Sequence, residues 1–150
     1  MIELKLRFAQ WVLRRIFGDV KQVSPAELAR WLAVDAPERP VLLDARDAAE
    51  FSISHLAGAI RIDPAAGEAE LRELKLSDRP VVVYCAVGYR SAKVARRLQT
   101  LGQGRVFNLD GAIFAWSSER LPMVNSAGAT TRVHPFNGFG RWLLPPHCRD

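Results

Sequence analysis

Val81-Val82-Val83-Tyr84-Cys85-Ala86-Val87-Gly88-Tyr89-Arg90-Ser91-Ala92-Lys93-Val94-Ala95-Arg96-Arg97-Leu98 is the stretch on which the reading of this chain turns. Its first four residues are three β-branched side chains and an aromatic, apolar on both faces, which predicts a buried central strand of a parallel sheet. Asp78-Arg79-Pro80 turns the chain into that strand. From Ser91 to Leu101 the spacing predicts a helix, with Ala92, Ala95 and Leu98 inward and Lys93, Arg96 and Arg97 on a solvated face. Gly102 closes it. The residues between, Cys85 to Arg90, form a short loop.

Outward from this unit, strands and helices alternate. Ser24-Pro25-Ala26-Glu27 is a helix start, with a capping Ser, Pro at the first helical position and Glu three residues after the cap; the helix runs to about Leu32. Pro37 and Pro40 bracket a turn before the apolar strand Val41 to Asp44. One or two helical turns follow over Asp47 to Phe51, then a strand over Gly58 to Ile62 that Asp63-Pro64 ends. Glu68 to Leu76 reads as a helix, Val106 to Leu109 as a strand, and Ala112 to Trp116 as the start of a last helix. This alternation predicts an α/β domain with a mainly parallel sheet.

The chain has 150 residues, which suits one domain, and 49% of them are hydrophobic, enough to bury a core and exclude disorder of the whole. Its formal charge of +5 favours anionic partners in general without pointing to nucleic acid, and none is expected. Two cysteines, Cys85 and Cys148, exclude a disulfide-stapled scaffold. No run reaches the ~18 apolar residues of a membrane span, and the N-terminus lacks the pattern of a secretory signal. The expected compartment is the cytoplasm, where a thiol stays reduced.

Residues 1–19 stand apart as an amphipathic helix over Ile2 to Phe17. Ile2, Leu6, Ala9, Leu13 and Ile16 are expected on one face, Glu3, Arg7, Gln10 and Arg14 on the other, and Leu4, Phe8 and Trp11 widen the apolar surface. Such a helix packs on its own domain or on a twin subunit; a basic amphipathic helix also suits a peripheral position at a membrane surface. The tail, residues 123–150, is rich in Gly, Pro, Ser and Thr, yet Phe136, Phe139, Trp142, Leu143 and Leu144 require it to pack somewhere.

A cysteine at the carboxyl end of a central strand, leading through a short loop into a helix, is placed for chemistry. The helix directs unpaired N–H groups and a positive dipole end at the loop, and the loop's own amides can close into an anion cradle. Gly88 allows a positive φ, Arg90 adds a permanent cation, and the Ser91 hydroxyl can donate a hydrogen bond. All of these favour thiolate over thiol at Cys85.

Cys85-Ala86-Val87-Gly88-Tyr89-Arg90-Ser91 resembles the C-x-x-G-x-R-S active loop of the rhodanese-like family, specifically its single-domain sulfurtransferases. Leu42-Leu43-Asp44-Ala45-Arg46 with Glu50-Phe51 resembles that family's D-x-R…E-[FY] segment, Ile53 to Ile60 its G-H-I-x-G-A segment, and Asn108-Leu109-Asp110-Gly111 with Trp116 its L-x-G-G…W element. The matches fall in order over residues 20–122. The resemblance implies a rhodanese-like fold, with about five mainly parallel strands flanked by helices, and a persulfide mechanism. In it Cys85 is the nucleophile, and Ala86, Val87, Gly88, Tyr89, Arg90 and Ser91 bind a small anionic sulfur donor such as thiosulfate. A thiol, cyanide or protein cysteine is the acceptor, and neither metal nor organic cofactor is required. The alternative use is a sulfur-relay or docking module. The C-x₄-R spacing is the family's shorter, sulfur-handling form, which argues against the C-x₅-R phosphatases. Ala86 stands where thiosulfate-using members often carry Arg, Ser54 replaces a Gly, and Ala112 replaces the second Gly of the pair.

Other polar residues are assigned supporting roles. Asp44 and Arg46 are expected to form a partly buried ion pair or hydrogen-bonded network with Glu50, and His55 a structural bond to backbone. His134, His147 and Cys148 match no common zinc spacing. Cys148 is either a thiol that resolves the persulfide or incidental to the chemistry, and the second reading is favoured.

Overall fold

The strands of the central sheet are β1 (Lys21–Val23), β2 (Val41–Asp44), β3 (Ile60–Arg61), β4 (Val81–Tyr84) and β5 (Val106–Leu109). In the computed structural model, which describes residues 3–35 and 38–149, they pair in the order β1-β5-β4-β2-β3. Every pairing is parallel, with Val83 of β4 opposite Leu43 of β2 and Asn108 of β5. Central β4 is buried along its whole length, as its apolar two-faced sequence requires.

Strand alternation divides the core into two layers. Leu42, Val82, Tyr84 and Leu109 pack on one side with Leu28, Ile113 and Phe114. Leu43, Val81, Val83 and Val106 pack on the other with Leu71, Ala92, Ala95 and Leu98. The helices around the sheet are α1 (Leu4–Ile16), α2 (Pro25–Leu32), α3 (Ala48–Ile53), α4 (Glu68–Glu73), α5 (Tyr89–Thr100) and α6 (Ala112–Ser118). Both capping boxes form: Ser24 with Glu27 starts α2, and Asp47 with Glu50 starts α3.

Several expectations need correction. Helix α5 begins at Tyr89, two residues before the expected Ser91, because Gly88 (φ +125°) turns the chain straight into it. Its Arg97 is not simply solvated, since it donates to the carbonyls of Pro64 and Ala66; Arg96 pairs with Asp19 across the Phe17 ring. Strand β1 carries no apolar run and has no counterpart among the expected strands; its place comes from pairing with β5. Ile2 and Pro37, named in the expected first helix and turn, lie outside the described residues.

Helix α1 corrects the expected division of faces. Leu6 and Gln10 are buried, while Leu4, Phe8, Trp11 and Ile16 are exposed. Leu6 joins one core layer and Leu13 and Phe17 the other, so α1 spans both. The tail forms the antiparallel hairpin β6 (Met123–Asn125) and β7 (Gly128–Thr130), then α7 (Gly138–Leu143) and a 3₁₀ turn over Pro146–Cys148. Val133, Leu143, Leu144 and Cys148 are buried in the same layer as Phe114. Among the described residues no helix is long and apolar enough to cross a membrane.

Candidate active site

Cys85 follows β4 directly, at the carboxyl end of the central strand, and the turn Ala86 to Gly88 leads into α5. The turn is pinned from beneath: the Ile113 and Phe114 amides donate to the carbonyls of Cys85 and Ala86 at 3.1 Å. Gly88 donates its amide to Cys85 Sγ at 3.2 Å. The first helical bond of α5 is Ala92 N–H to the Gly88 carbonyl at 3.1 Å. Among the described residues the amides of Ala86, Val87, Tyr89, Arg90 and Ser91 make no hydrogen bond within the protein. A turn with that many free donors, at the positive end of a twelve-residue helix, is electrostatically suited to an anion.

The Ser91 hydroxyl lies 3.4 Å from Cys85 Sγ and 2.6 Å from Asn108 Oδ1. It has one proton, so at rest the nearer Asn108 oxygen receives it, and donating to sulfur requires a turn of the hydroxyl. Asn108 in turn donates through Nδ2 to the Gly88 carbonyl and to Gln22 Oε1, each at 3.2 Å. It thereby ties the loop to β5 and β1. A Cβ on Gly88 would stand 3.4 Å from Asn108 Nδ2, so positive φ and close approach both favour glycine there. Cys85 itself is only 2% exposed, but donors face its sulfur.

Arg90 is not a free cation over the turn. Its guanidinium makes a two-point pair with Glu50, Nη1 to Oε1 at 2.7 Å and Nη2 to Oε2 at 2.9 Å, and lies 4.0 Å over the Phe136 ring. Burial works against its charge, yet the bond to Glu50 and the nearby Cys85 raise its pKa on balance. Asp44 and Arg46 form a separate, fully buried pair: Nε to Oδ1 at 2.8 Å and Nη2 to Oδ2 at 2.7 Å. Arg46 also donates to the Ser54 carbonyl at 2.6 Å, and despite burial its pKa is raised by Asp44. The expected single network with Glu50 is therefore two pairs, because Glu50, on α3, faces α5. Tyr84, beneath the Arg46 guanidinium, accepts the Leu56 amide at 3.0 Å, and burial pushes its phenol well up.

His55 bonds through Nδ1 to the Phe51 carbonyl at 2.9 Å and stacks on the Phe51 ring. His147 Nε2 lies 2.9 Å from the Ser117 carbonyl, and His134 Nδ1 accepts the Phe136 amide. Cys148 is buried, its thiol pKa raised by that burial, in the layer that holds Phe114, within sulfur hydrogen-bond reach of the Ser117 carbonyl. Among the described residues no cluster of His, Cys, Asp and Glu could hold a metal.

Two elements reach the loop with no local sequence signal. A Cβ on Gly88 would be 3.5 Å from Leu13 Cδ1, and one on Gly111 2.7 Å from Gln10 Nε2, so α1 lies across the carboxyl ends of β4 and β5. With the tail, α1 encloses a cavity of about 500 Å³ beside the turn, lined by Val12, Leu13, Ala86, Val87, Phe136 and Phe139 among others.

The rhodanese-like domain model matches residues 24–119, the segment that carries the sheet and this turn. The chain belongs to the rhodanese-like family. It is 33% identical over 109 residues to a sulfurtransferase of Allochromatium vinosum, covering 73% of this chain and 99% of that one. It is 38% identical over 112 residues to a tRNA uridine(34) hydroxylase of Bordetella petrii, covering 68% of this chain and 44% of that one. With other curated relatives the match spans a quarter of their length. A rhodanese-related protein of Thermoplasma volcanium aligns with a TM-score of 0.57 at 29% identity, over 69% of this chain and 97% of that one.

Proposed function

We propose that this rhodanese-like chain is a sulfurtransferase that carries sulfane sulfur on Cys85. The Cys85 thiolate attacks the outer sulfur of a small anionic donor such as thiosulfate. The S–S bond of the donor breaks, sulfite leaves with the electron pair, and the enzyme holds Cys–S–S⁻. A thiol, cyanide or a protein cysteine then attacks the terminal sulfur, and the Cys85 thiolate departs as the leaving group. The free amides of Ala86, Val87, Tyr89, Arg90 and Ser91 stabilise the donor anion and the persulfide at fixed positions, without reorganisation. Arg90 braces the turn through Glu50, Ser91 switches its proton between Asn108 and sulfur, and Asp44 with Arg46 holds the end of β2 beside β4. No cofactor enters the scheme.

The observation that carries this reading is the Gly88 amide donating to Cys85 Sγ at 3.2 Å within a turn of unpaired N–H groups. Incubation with thiosulfate is expected to add one sulfur atom to the intact protein and to release sulfite, and Cys85→Ser to abolish both. No adduct from thiosulfate or from organic persulfides, with the protein folded, would overturn the proposal.

A further inference from the structure

The structure points to a second functional surface, built from the two elements outside the family match. We propose that α1 and the C-terminal tail form one face that docks on an anionic lipid surface and holds the Cys85 turn against it. This inference is independent of the sulfur chemistry above.

On the outer side of α1, Leu4, Phe8 and Trp11 are 82%, 65% and 51% exposed, and Arg15 continues the same stripe at helical spacing. On the tail, Phe136, Phe139 and Trp142 are exposed as well. Lys5 joins the two, donating to the Trp142 carbonyl and lying 5.0 Å over its ring. Tyr89, at the start of α5, lines the same cavity as Phe8, Phe136, Phe139 and Trp142. Of the ten exposed large hydrophobic residues described, eight belong to α1, Tyr89 or the tail. A concentration of that kind on a small protein marks an interaction site.

Charge identifies the occupant. Residues 4–18 and 127–149 contain no Asp or Glu and carry seven Lys and Arg. Residues 19–126 contain fourteen basic and fourteen acidic side chains, so the positive excess of the chain lies wholly in the two extensions. The carboxylates that approach α1, Glu3 and Asp110, are paired with Lys5 and Arg14. Arg7 and Arg15 are exposed and have no carboxylate partner among the described residues. Aromatic side chains between basic ones, on a thirteen-residue helix that is too short to span a bilayer, suit a position in the plane of the headgroups. Each basic side chain near such a surface contributes about fivefold in binding.

The test is co-sedimentation of the full chain with vesicles of phosphatidylcholine and phosphatidylglycerol in equal parts, against phosphatidylcholine alone, at low salt. The expected result is binding to the anionic vesicles only. The pair Arg7→Gln and Arg15→Gln should lower it about twenty-five-fold, and the pair Leu4→Gln and Trp11→Gln should lower it to the level of neutral vesicles. Both variants should keep the thermal unfolding midpoint and the Cys85 sulfur loading of the parent in solution. No binding at low salt, or equal binding by the variants, overturns the proposal. So does sedimentation velocity showing a dimer that the Leu4→Gln, Trp11→Gln variant dissociates, which would assign the face to a second copy of the chain.

Discussion

Removing the Glu50–Arg90 pair one side at a time, and then both, measures what holds the turn to the rest of the domain. Glu50 is fully buried and the Arg90 side chain is 18% exposed, with contacts of 2.7 and 2.9 Å. Breaking a buried pair costs about 3–5 kcal/mol, most of it the penalty of stranding the remaining charge. Glu50→Gln strands a guanidinium that water can still reach, which places its cost near the lower figure, about 3 kcal/mol. Arg90→Gln strands a carboxylate with no solvent access, which places it near the upper, about 5 kcal/mol. The double variant strands neither charge and should cost about as much as Glu50→Gln alone. Gln at position 50 also keeps an oxygen for the Asp47 amide, so the capping box is not at issue. Urea unfolding at pH 7 reads all three, and 3 kcal/mol corresponds to roughly 6–12 °C in midpoint for a chain of this size. Cost additivity within about 0.5 kcal/mol would refute the reasoning, because it would mean that neither charge depends on the other.

Two further substitutions test the supporting structure. A Cβ on Gly140 would stand 1.9 Å from the Pro135 carbonyl oxygen and 3.4 Å from Phe114 Cζ, so Gly140→Ala must displace the start of α7. It is expected to cost more than about 2 kcal/mol by overpacking and to expose the tail to limited proteolysis before the domain unfolds; an uncut tail at parent stability would refute the close approach. Asp47 caps α3, and its carboxyl is held below the usual range by the Glu50 amide. Its contribution is therefore complete above the unfolded carboxyl value of about 3.9 and is lost as pH falls through the lower, folded value. Asp47→Ala should cost about 1 kcal/mol at pH 7, with the gap to the parent narrowing as pH falls below about 3.9; a gap that does not narrow on acidification would refute it.

Much of this molecule is legible from side-chain pattern because the relevant physics is local. The two-faced apolar run Val81–Tyr84 can be stable only as an inner strand, Ser24-Pro25-Ala26-Glu27 caps a helix wherever it sits, and Cys85 followed by Gly88 and Ser91 defines the turn and its donors. Strand β1 is not legible, since Lys21-Gln22-Val23 has no pattern of its own and is extended only because β5 offers an edge. The partner of Arg90 is likewise decided by which helix faces which: Glu50 is forty residues away and shares a turn with the equally plausible Arg46. The same holds for α1. Its helical period is written in the chain, but which stripe faces inward depends on the carboxyl ends of β4 and β5, where Leu13 and Gln10 meet Gly88 and Gly111. The sequence by itself thus determined most elements of the central domain, the turn that carries Cys85 and the family; only the tertiary structure decided strand β1, the ion-pair partners and the outward apolar face, because these are set by contacts between segments whose local patterns carry no record of each other.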